Sequence, residues 1–327
     1  MTPRVLCKVF AASCTCDGGI SSYTLSEKGK LTFVSQIMLD RPMYFIKDQN
    51  DLHVLLRAPE GLGGMSGYVK ISADLDQREL QKPISTNGVV ACHLCKVGER
   101  IYATNYLSGS LSEVGGKVSV HPNDLENPFG RQEAPHTHCV IPGAEKDQLF
   151  CTDLGLDSIF VYDLELNPLA RCPMPKGHGV RHLTAGKNGI YYAVNELAAT
   201  VSALQYEKAT KSLSCLSTVS CGELCEGTLA AAIRLSKDGT RLYVSLRGED
   251  KIAVFAVEEN GYQLSLLHLI PCGGKGPRDI YLSPDDRFLI SANEVSGDLT
   301  VLSLEGETEG NLTDRIPLAQ ALCVYCE

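Results

Sequence analysis

The residues best suited to chemistry are scattered along the chain: imidazoles at His93, His136 and His138, guanidiniums at Arg57, Arg181, Arg247 and Arg278, and carboxylates at Asp153, Glu196 and Glu294. Amides at Asn105, Asn195 and Asn293 recur among them. An imidazole titrates near neutrality and a carboxylate accepts protons, so either can serve as a general acid or base. A guanidinium presents a planar fork of donors that binds an oxyanion bidentately. Collected in one place, such a set could move a proton while holding an anion. No Gly-x-Ser-x-Gly elbow accompanies them, which argues against a covalent acyl-enzyme. Cys92-x-x-Cys95 and Cys323-x-x-Cys326 have metal-ligand spacing. The first pair reads as strand, where alternate side chains point apart, and the two pairs lie far apart in sequence, so core-filling thiols are expected.

What brings distant residues together is a repeat. A short alternating strand recurs as Arg100–Tyr106, Gln148–Leu154, Gly189–Glu196, Arg241–Arg247 and Arg287–Glu294, with weaker copies at Arg4–Phe10 and Asp51–Arg57. With the penultimate residue of each as anchor (Val9, Leu56, Asn105, Asp153, Asn195, Leu246, Asn293), the steps are 47, 49, 48, 42, 51 and 47 residues. The wrap-around from Asn293 through the C-terminus to Val9 is 43, so the repeat closes on itself. A period of 40 to 50 residues with several strands per unit is the signature of a β-propeller, here of seven four-stranded antiparallel blades. No sustained 3.6-residue periodicity supports paired helices. Residues 1–327 are therefore expected to form a single propeller domain.

Turn-forming residues precede most copies, as in Lys96-Val-Gly-Glu99, Lys187-Asn-Gly189 and Pro284-Asp-Asp286, and mark a hairpin between an inner strand and the recurring one. Inner strands are expected at Tyr44–Lys47, His93–Cys95, His138–Ile141, Arg181–Ala185, Ala231–Leu235 and Arg278–Ser283. The seventh, Leu322–Tyr325, would join the blade begun by the N-terminus and latch the ring. In an antiparallel hairpin the start of one strand lies beside the end of the next. The topology therefore gathers His93, His138, Arg181 and Arg278 with Arg57, Asn105, Asp153, Glu196, Arg247, Asn293 and Glu294 at one mouth of the central channel.

Composition bounds the partners. With 44% hydrophobic and 21% charged residues the chain can bury a core, and 30 basic against 39 acidic residues leave a net charge of −9. No global field draws it to nucleic acid or an anionic membrane, so an anion must meet a local basic site. The N-terminus lacks the apolar core of a signal peptide and no run is long enough to span a bilayer, so a cytoplasmic protein is expected, monomer or homodimer. Its 14 cysteines are read as reduced, because a chain that can build a core needs no disulfide scaffold.

The segments Pro135-His-Thr-His-Cys-Val140, Asp153-Leu-Gly-Leu-Asp157, Gly179-Val-Arg-His-Leu183, Asn195-Glu-Leu197, Arg247-Gly248 and Gly276-Pro-Arg-Asp279 together resemble the seven-bladed lactonase family, over nearly the whole chain. That family includes propeller-type 6-phosphogluconolactonases and a carboxymuconate-lactonising enzyme. The resemblance implies lactone chemistry without an organic cofactor, a small anionic lactone as substrate, and catalytic roles for His138, Arg181, Glu196 and Arg247; no metal is assigned to the site. Val180, Leu246 and Arg57 depart from the family's usual Pro, Asn and Glu. Opening a lactone needs a base for water, donors for the oxyanion and an acid for the departing alkoxide. His138 or Glu196 is expected as base, Arg181 and Arg247 as oxyanion and phosphate binders, and Arg278, Asn105, Asn293, His93 and Arg57 as substrate contacts. Three other readings stay open: action on a carboxylated or unphosphorylated lactone, in either direction; a binding platform, disfavoured by the absence of Trp; and a Ca²⁺ site of Asn105, Asp153, Asn195 and Glu196.

Overall fold

Alternating short strands broken by turn residues build nearly everything in the computed structural model, which describes residues 4–76, 80–125, 128 and 130–327. Seven antiparallel four-stranded sheets surround an axis. Their inner strands are Ala321–Cys326, Pro42–Asp48, Ala91–Val97, Thr137–Pro142, Val180–Ala185, Leu229–Leu235 and Pro277–Leu282, of blades one to seven in that order. Blade one pairs Ala321–Cys326 with Val5–Ser13, so the two ends of the chain share a sheet and close the ring. The expected hairpin turns are present: Gln49, Asn188 and Asp286 take positive φ of 50°, 55° and 57°. Polar residues tolerate that conformation there, where a β-branched one would be strained. Among the described residues no helix is long and apolar enough to cross a membrane.

Period-two alternation assigns each strand's two faces to its two neighbouring blades. Val9 and Ala11 pack with Leu25, Ile290 and Val301 against blade seven, while Phe10 and Ala12 pack with Ile20, Phe45 and Val54 against blade two. Each such fully buried aliphatic or aromatic side chain stabilises the fold by about 1.5–3 kcal/mol. Cys323 and Cys326 divide in the same way between these two clusters, and Cys95 packs with Tyr102 and Val140, so these thiols fill core space.

Two details of register differ from expectation. The first strand runs three residues past Phe10, and Ser13 is the position opposite Gly19 and Ala321 that Asn105 occupies in blade three. Its anchor is therefore Ser13, not Val9. The small run Ala11-Ala12-Ser13 carries no Asn or Asp to mark the strand's end. Secondly, the ladder between the inner strand and the next slips by one residue near the start of each inner strand. The extra residue is Met43, Cys92, His138, Arg181, Arg278 and Leu322 in six blades, and in blade six Ala231 takes that place, where pairing skips from Ala230 to Ile233. Such a bulge leaves one residue unpaired and re-aims its side chain.

Candidate active site

The seven bulges form a ring round the axis. Met43, Cys92, His138, Arg181, Arg278 and Leu322 line a narrow crevice of about 20 Å³. Above it opens a pocket of about 290 Å³, bounded by Arg57, Tyr106, Arg131, His138, Glu196, Arg247 and Arg278. Arg57, Tyr106 and Glu196 each follow the last residue of a second strand directly, and Arg247 ends one. The pocket is thus assembled from the bulge residues Cys92, His138 and Arg278, the strand-end residues Arg57, Tyr106, Glu196 and Arg247, and Arg131, and its size sits at the small end of ligand cavities. A larger groove of about 570 Å³ runs along Asp124, Leu156, Arg171 and Met174, away from these groups, and its Arg171 is already paired with Asp124.

Glu196 is the centre of charge. It is 2% exposed, with Oε2 lying 2.9 Å from Arg181 Nε and 3.0 Å from Arg247 Nη2, and Oε1 lying 3.1 Å from Arg131 Nη2. The contacts are close but not all aimed: Oε1 accepts no hydrogen bond, and the Nε groups of Arg181 and Arg247 donate none. Burial alone would raise the carboxyl's pKa, but Arg247, Arg181, Arg131 and Arg278 together outweigh it and hold Glu196 below its ordinary value, as a carboxylate at neutral pH. Burial in turn pushes Arg181 down to about 10, still a cation at neutrality. Arg181 Nη1 donates to the carbonyl of Ala231 at 2.8 Å and to His182 Nε2 at 3.0 Å, which fixes the guanidinium across the channel.

His138 sits among cations. Burial first, then Arg181, Arg278, His93 and Arg247, drive its pKa well below the ordinary imidazole value, so the ring is neutral. Its Nδ1 has no hydrogen-bond partner, and Tyr106 and His182 contact the ring edge-on at centroid distances of 5.7 and 5.2 Å. Arg278 donates to Glu294 at 3.0 Å, and Arg57, without a carboxylate partner among the described residues, stands exposed at the rim. Among the described residues, Arg57, Arg131, Arg181, Arg247 and Arg278 meet Glu196, Glu294 and an Asp279 already paired with Arg234 at this mouth, in a protein whose net charge is −9.

The structure brings together His138, Arg181, Glu196, Arg247, Arg278 and Arg57, and leaves three expected contacts outside the pocket. Asn105 and Asn293 face into their own blades. Their amides donate to Ser110 and Ser112, and to Asp298 and Thr300, while their carbonyl oxygens accept from Thr86 and Ser291. Asn195 repeats the pattern with Thr200 and Ser202. Alternation is the reason: when the next residue points to the mouth, the anchor points away. His93 is off by one position. The bulged residue of its strand is Cys92, and His93 lies a layer deeper, stacked on Tyr44 at 4.3 Å with His182 beyond it. The oxygen set of a Ca²⁺ site does not converge, because Asp153 is spent on His121 Nδ1 and the backbone N–H groups of His136 and Leu156. Among the described residues no group of His, Cys, Asp and Glu could hold a metal ion.

Sequence reasoning missed Tyr106, His182 and Arg131. Arg131 comes from the connector between Val120 and Thr137, outside every strand, and its exposed side chain reaches Tyr106 Oη at 2.9 Å as well as Glu196. Tyr106 could have been found, since it is the residue after Asn105 just as Glu196 is the residue after Asn195.

The family described as "Lactonase, 7-bladed beta-propeller" matches residues 8–325. A 6-phosphogluconolactonase of Bacillus subtilis is 27% identical over 315 residues, covering 90% of this chain and 89% of that protein. An uncharacterised Staphylococcus aureus protein is 30% identical over 300 residues, covering 89% of this chain and 80% of its own length. In structure, a periplasmic gluconolactonase of Pseudomonas aeruginosa superposes with a TM-score of 0.86 at 22% identity, over 98% of each chain.

Proposed function

Since this chain belongs to the seven-bladed β-propeller lactonase family, we propose that it hydrolyses a lactone, and that its substrate is 6-phosphogluconolactone. The observation that carries the reading is Glu196, an ionised carboxylate buried among Arg131, Arg181 and Arg247 beneath a rim that adds Arg57 and Arg278. The cation surplus favours an anionic ligand, and a phosphate, with nearly two charges and several acceptor oxygens, suits forked donors better than a neutral sugar does. The name of the Bacillus subtilis relative supports the same choice.

In the proposed chemistry, water attacks the lactone carbonyl as its proton passes to Glu196, and Arg181 and Arg247 hold the oxyanion of the tetrahedral intermediate. Collapse breaks the bond to the ring oxygen, and the departing alkoxide takes up the proton to leave the open-chain acid. Neutral His138 lines the same pocket, and an imidazole kept uncharged by burial and neighbouring cations can hydrogen-bond the lactone oxygens. The test is steady-state hydrolysis of 6-phosphogluconolactone beside unphosphorylated gluconolactone, with spontaneous opening subtracted. A higher kcat/KM on the phosphorylated lactone supports the reading. Preference for an unphosphorylated or carboxylated lactone, or no turnover, overturns it.

A further inference from the structure

Arg131 is unlike the other guanidiniums of the pocket. Arg181 and Arg247 are set on strands and largely buried, with side chains 3% and 17% exposed, whereas the Arg131 side chain is 49% exposed. Its backbone is nonetheless tethered on its C-terminal side. Gln132 Nε2 donates to the carbonyl of Leu154 at 2.8 Å, His136 N donates to Asp153 at 2.8 Å, and the His136 ring stacks on Tyr106 at 4.3 Å. The exposed side chain can therefore swing while the backbone C-terminal to it stays in place. The guanidinium lies over the Tyr106 ring, donates to its hydroxyl, and covers Glu196 Oε1, the oxygen without a hydrogen bond.

A carboxylate so covered is poorly placed to take a proton from water. We propose that Arg131 determines specificity by exchanging partners, leaving Glu196 for the phosphate of an incoming phosphorylated lactone, which uncovers Glu196 Oε1 for the chemical step. This rests on the lactonase reading above. Glu196 has one charge and keeps Arg181 and Arg247 as partners after the transfer, whereas a phosphate brings nearly two charges and vacant acceptors, so the exchange favours the substrate. An unphosphorylated lactone offers Arg131 nothing in return.

The readout is the ratio of kcat/KM on the phosphorylated to that on the unphosphorylated lactone, in wild type, Arg131→Ala and Arg131→Lys. The expected result is that Arg131→Ala lowers the ratio at least about tenfold, by losing the phosphorylated substrate and gaining on the unphosphorylated one, and that Lys restores part of it as a point charge. A ratio unmoved by either variant overturns the proposal. Calorimetric titration with 6-phosphogluconate and with gluconate separates this from failure of the lactonase reading. If wild type turns over neither lactone that reading falls, yet a tenfold weaker 6-phosphogluconate affinity in Arg131→Ala still assigns Arg131 to the phosphate, and equal affinity refutes it.

A second, independent observation concerns the ring closure. Cys7 Sγ and Cys326 Sγ lie 2.9 Å apart, buried where the closing strand Ala321–Cys326 meets Val5–Ser13. Their separation in sequence is 319 residues. Two thiols this close need little movement to reach a bond of about 2.05 Å. The structure assigns Cys7 and Cys326 as a reversible disulfide that staples the propeller shut. A small-molecule disulfide such as oxidised glutathione supplies the oxidising equivalents: one protein thiolate attacks it and releases one glutathione thiolate, the second protein thiolate displaces the other, and the two protons of the protein thiols end on the two released glutathiones. The protein is incubated with oxidised glutathione, alkylated, digested without reduction and mapped by mass spectrometry. A peptide pair joining Cys7 to Cys326, and a thermal midpoint raised by about 5 °C in wild type but in neither Cys7→Ser nor Cys326→Ser, are expected. Alkylation of both residues with modification confined to the exposed Cys16, Cys215 and Cys225 would overturn the assignment.

Discussion

Acid is expected to destabilise this protein through three histidines before it reaches the carboxylates. His93, His138 and His182 are buried at the centre of the channel, and burial, reinforced by Arg181 beside each of them, lowers all three pKa values, that of His93 to about 3. The unfolded chain binds a proton at each near pH 6.5, while the native state does not, so the unfolded state holds more protons and stability falls as pH drops below 6.5. Each such group contributes a slope of about 1.4 kcal/mol per pH unit once the pH is well below 6.5. Three together amount to about 6 kcal/mol between neutrality and pH 5, against a total stability of about 5–15 kcal/mol for ordinary domains. The measurement is the urea midpoint between pH 7.5 and 4.5, with proton uptake on unfolding read by calorimetry in buffers of different ionisation enthalpy. Close to three protons are expected at pH 5.5, with buried His53 adding in the same sense. His93→Gln should remove about one proton and flatten the slope by about 1.4 kcal/mol per unit. An uptake below one proton, or a slope that His93→Gln leaves alone, would refute the account of the channel as a stack of neutral imidazoles.

Glu196→Gln and His138→Ala should each lower kcat by about 10²- to 10⁴-fold, and wild-type turnover in both would remove them from the mechanism. Because Glu196 is held below its ordinary value, the base stays ionised across the assay range and kcat/KM should stay level from pH 7.5 to 5.5 in short assays; an acid limb near 6.5 would point to an unperturbed histidine instead. Arg278→Lys should raise KM for the phosphorylated lactone about tenfold more than for the unphosphorylated one, and equal losses would mean that this arginine reads no phosphate. Prolonged dialysis against a chelator should leave turnover unchanged; loss restored by Ca²⁺ would revive an oxygen-ligand site.

The fold was legible because turn residues and the spacing of Asn105, Asp153, Asn195 and Asn293 survive in the strongest copies, and because closure of the period tests itself. What was not legible is orientation. Repetition locates a strand end without saying which of two adjacent residues faces the axis, so Asn105 is expected where Tyr106 stands, and Asn293 is expected at the mouth together with Glu294 although it faces into its own blade. Bulges compound the problem, since an inserted residue resets alternation: His138, Arg181 and Arg278 are the inserted residues of their blades, while His93 follows its own, Cys92. Arg131 belongs to no repeat, and only tertiary structure sets a connector residue beside Glu196.

The inserted residues have a consequence for how such a site can change over evolutionary time. A side chain that sits outside the pairing ladder can be exchanged without disturbing the hydrogen bonds on either side of it. Read round the axis from blade one, the insertions spell a seven-letter word, Leu322, Met43, Cys92, His138, Arg181, Ala231 and Arg278. Three letters carry polar chemistry and four are apolar or small, so most of the word is unspent. A new substrate can be met by respelling Ala231 or Met43 while the scaffold keeps its strands. The constraint is grammar between adjacent letters, since neighbours across the narrow channel touch and their substitutions will not combine additively.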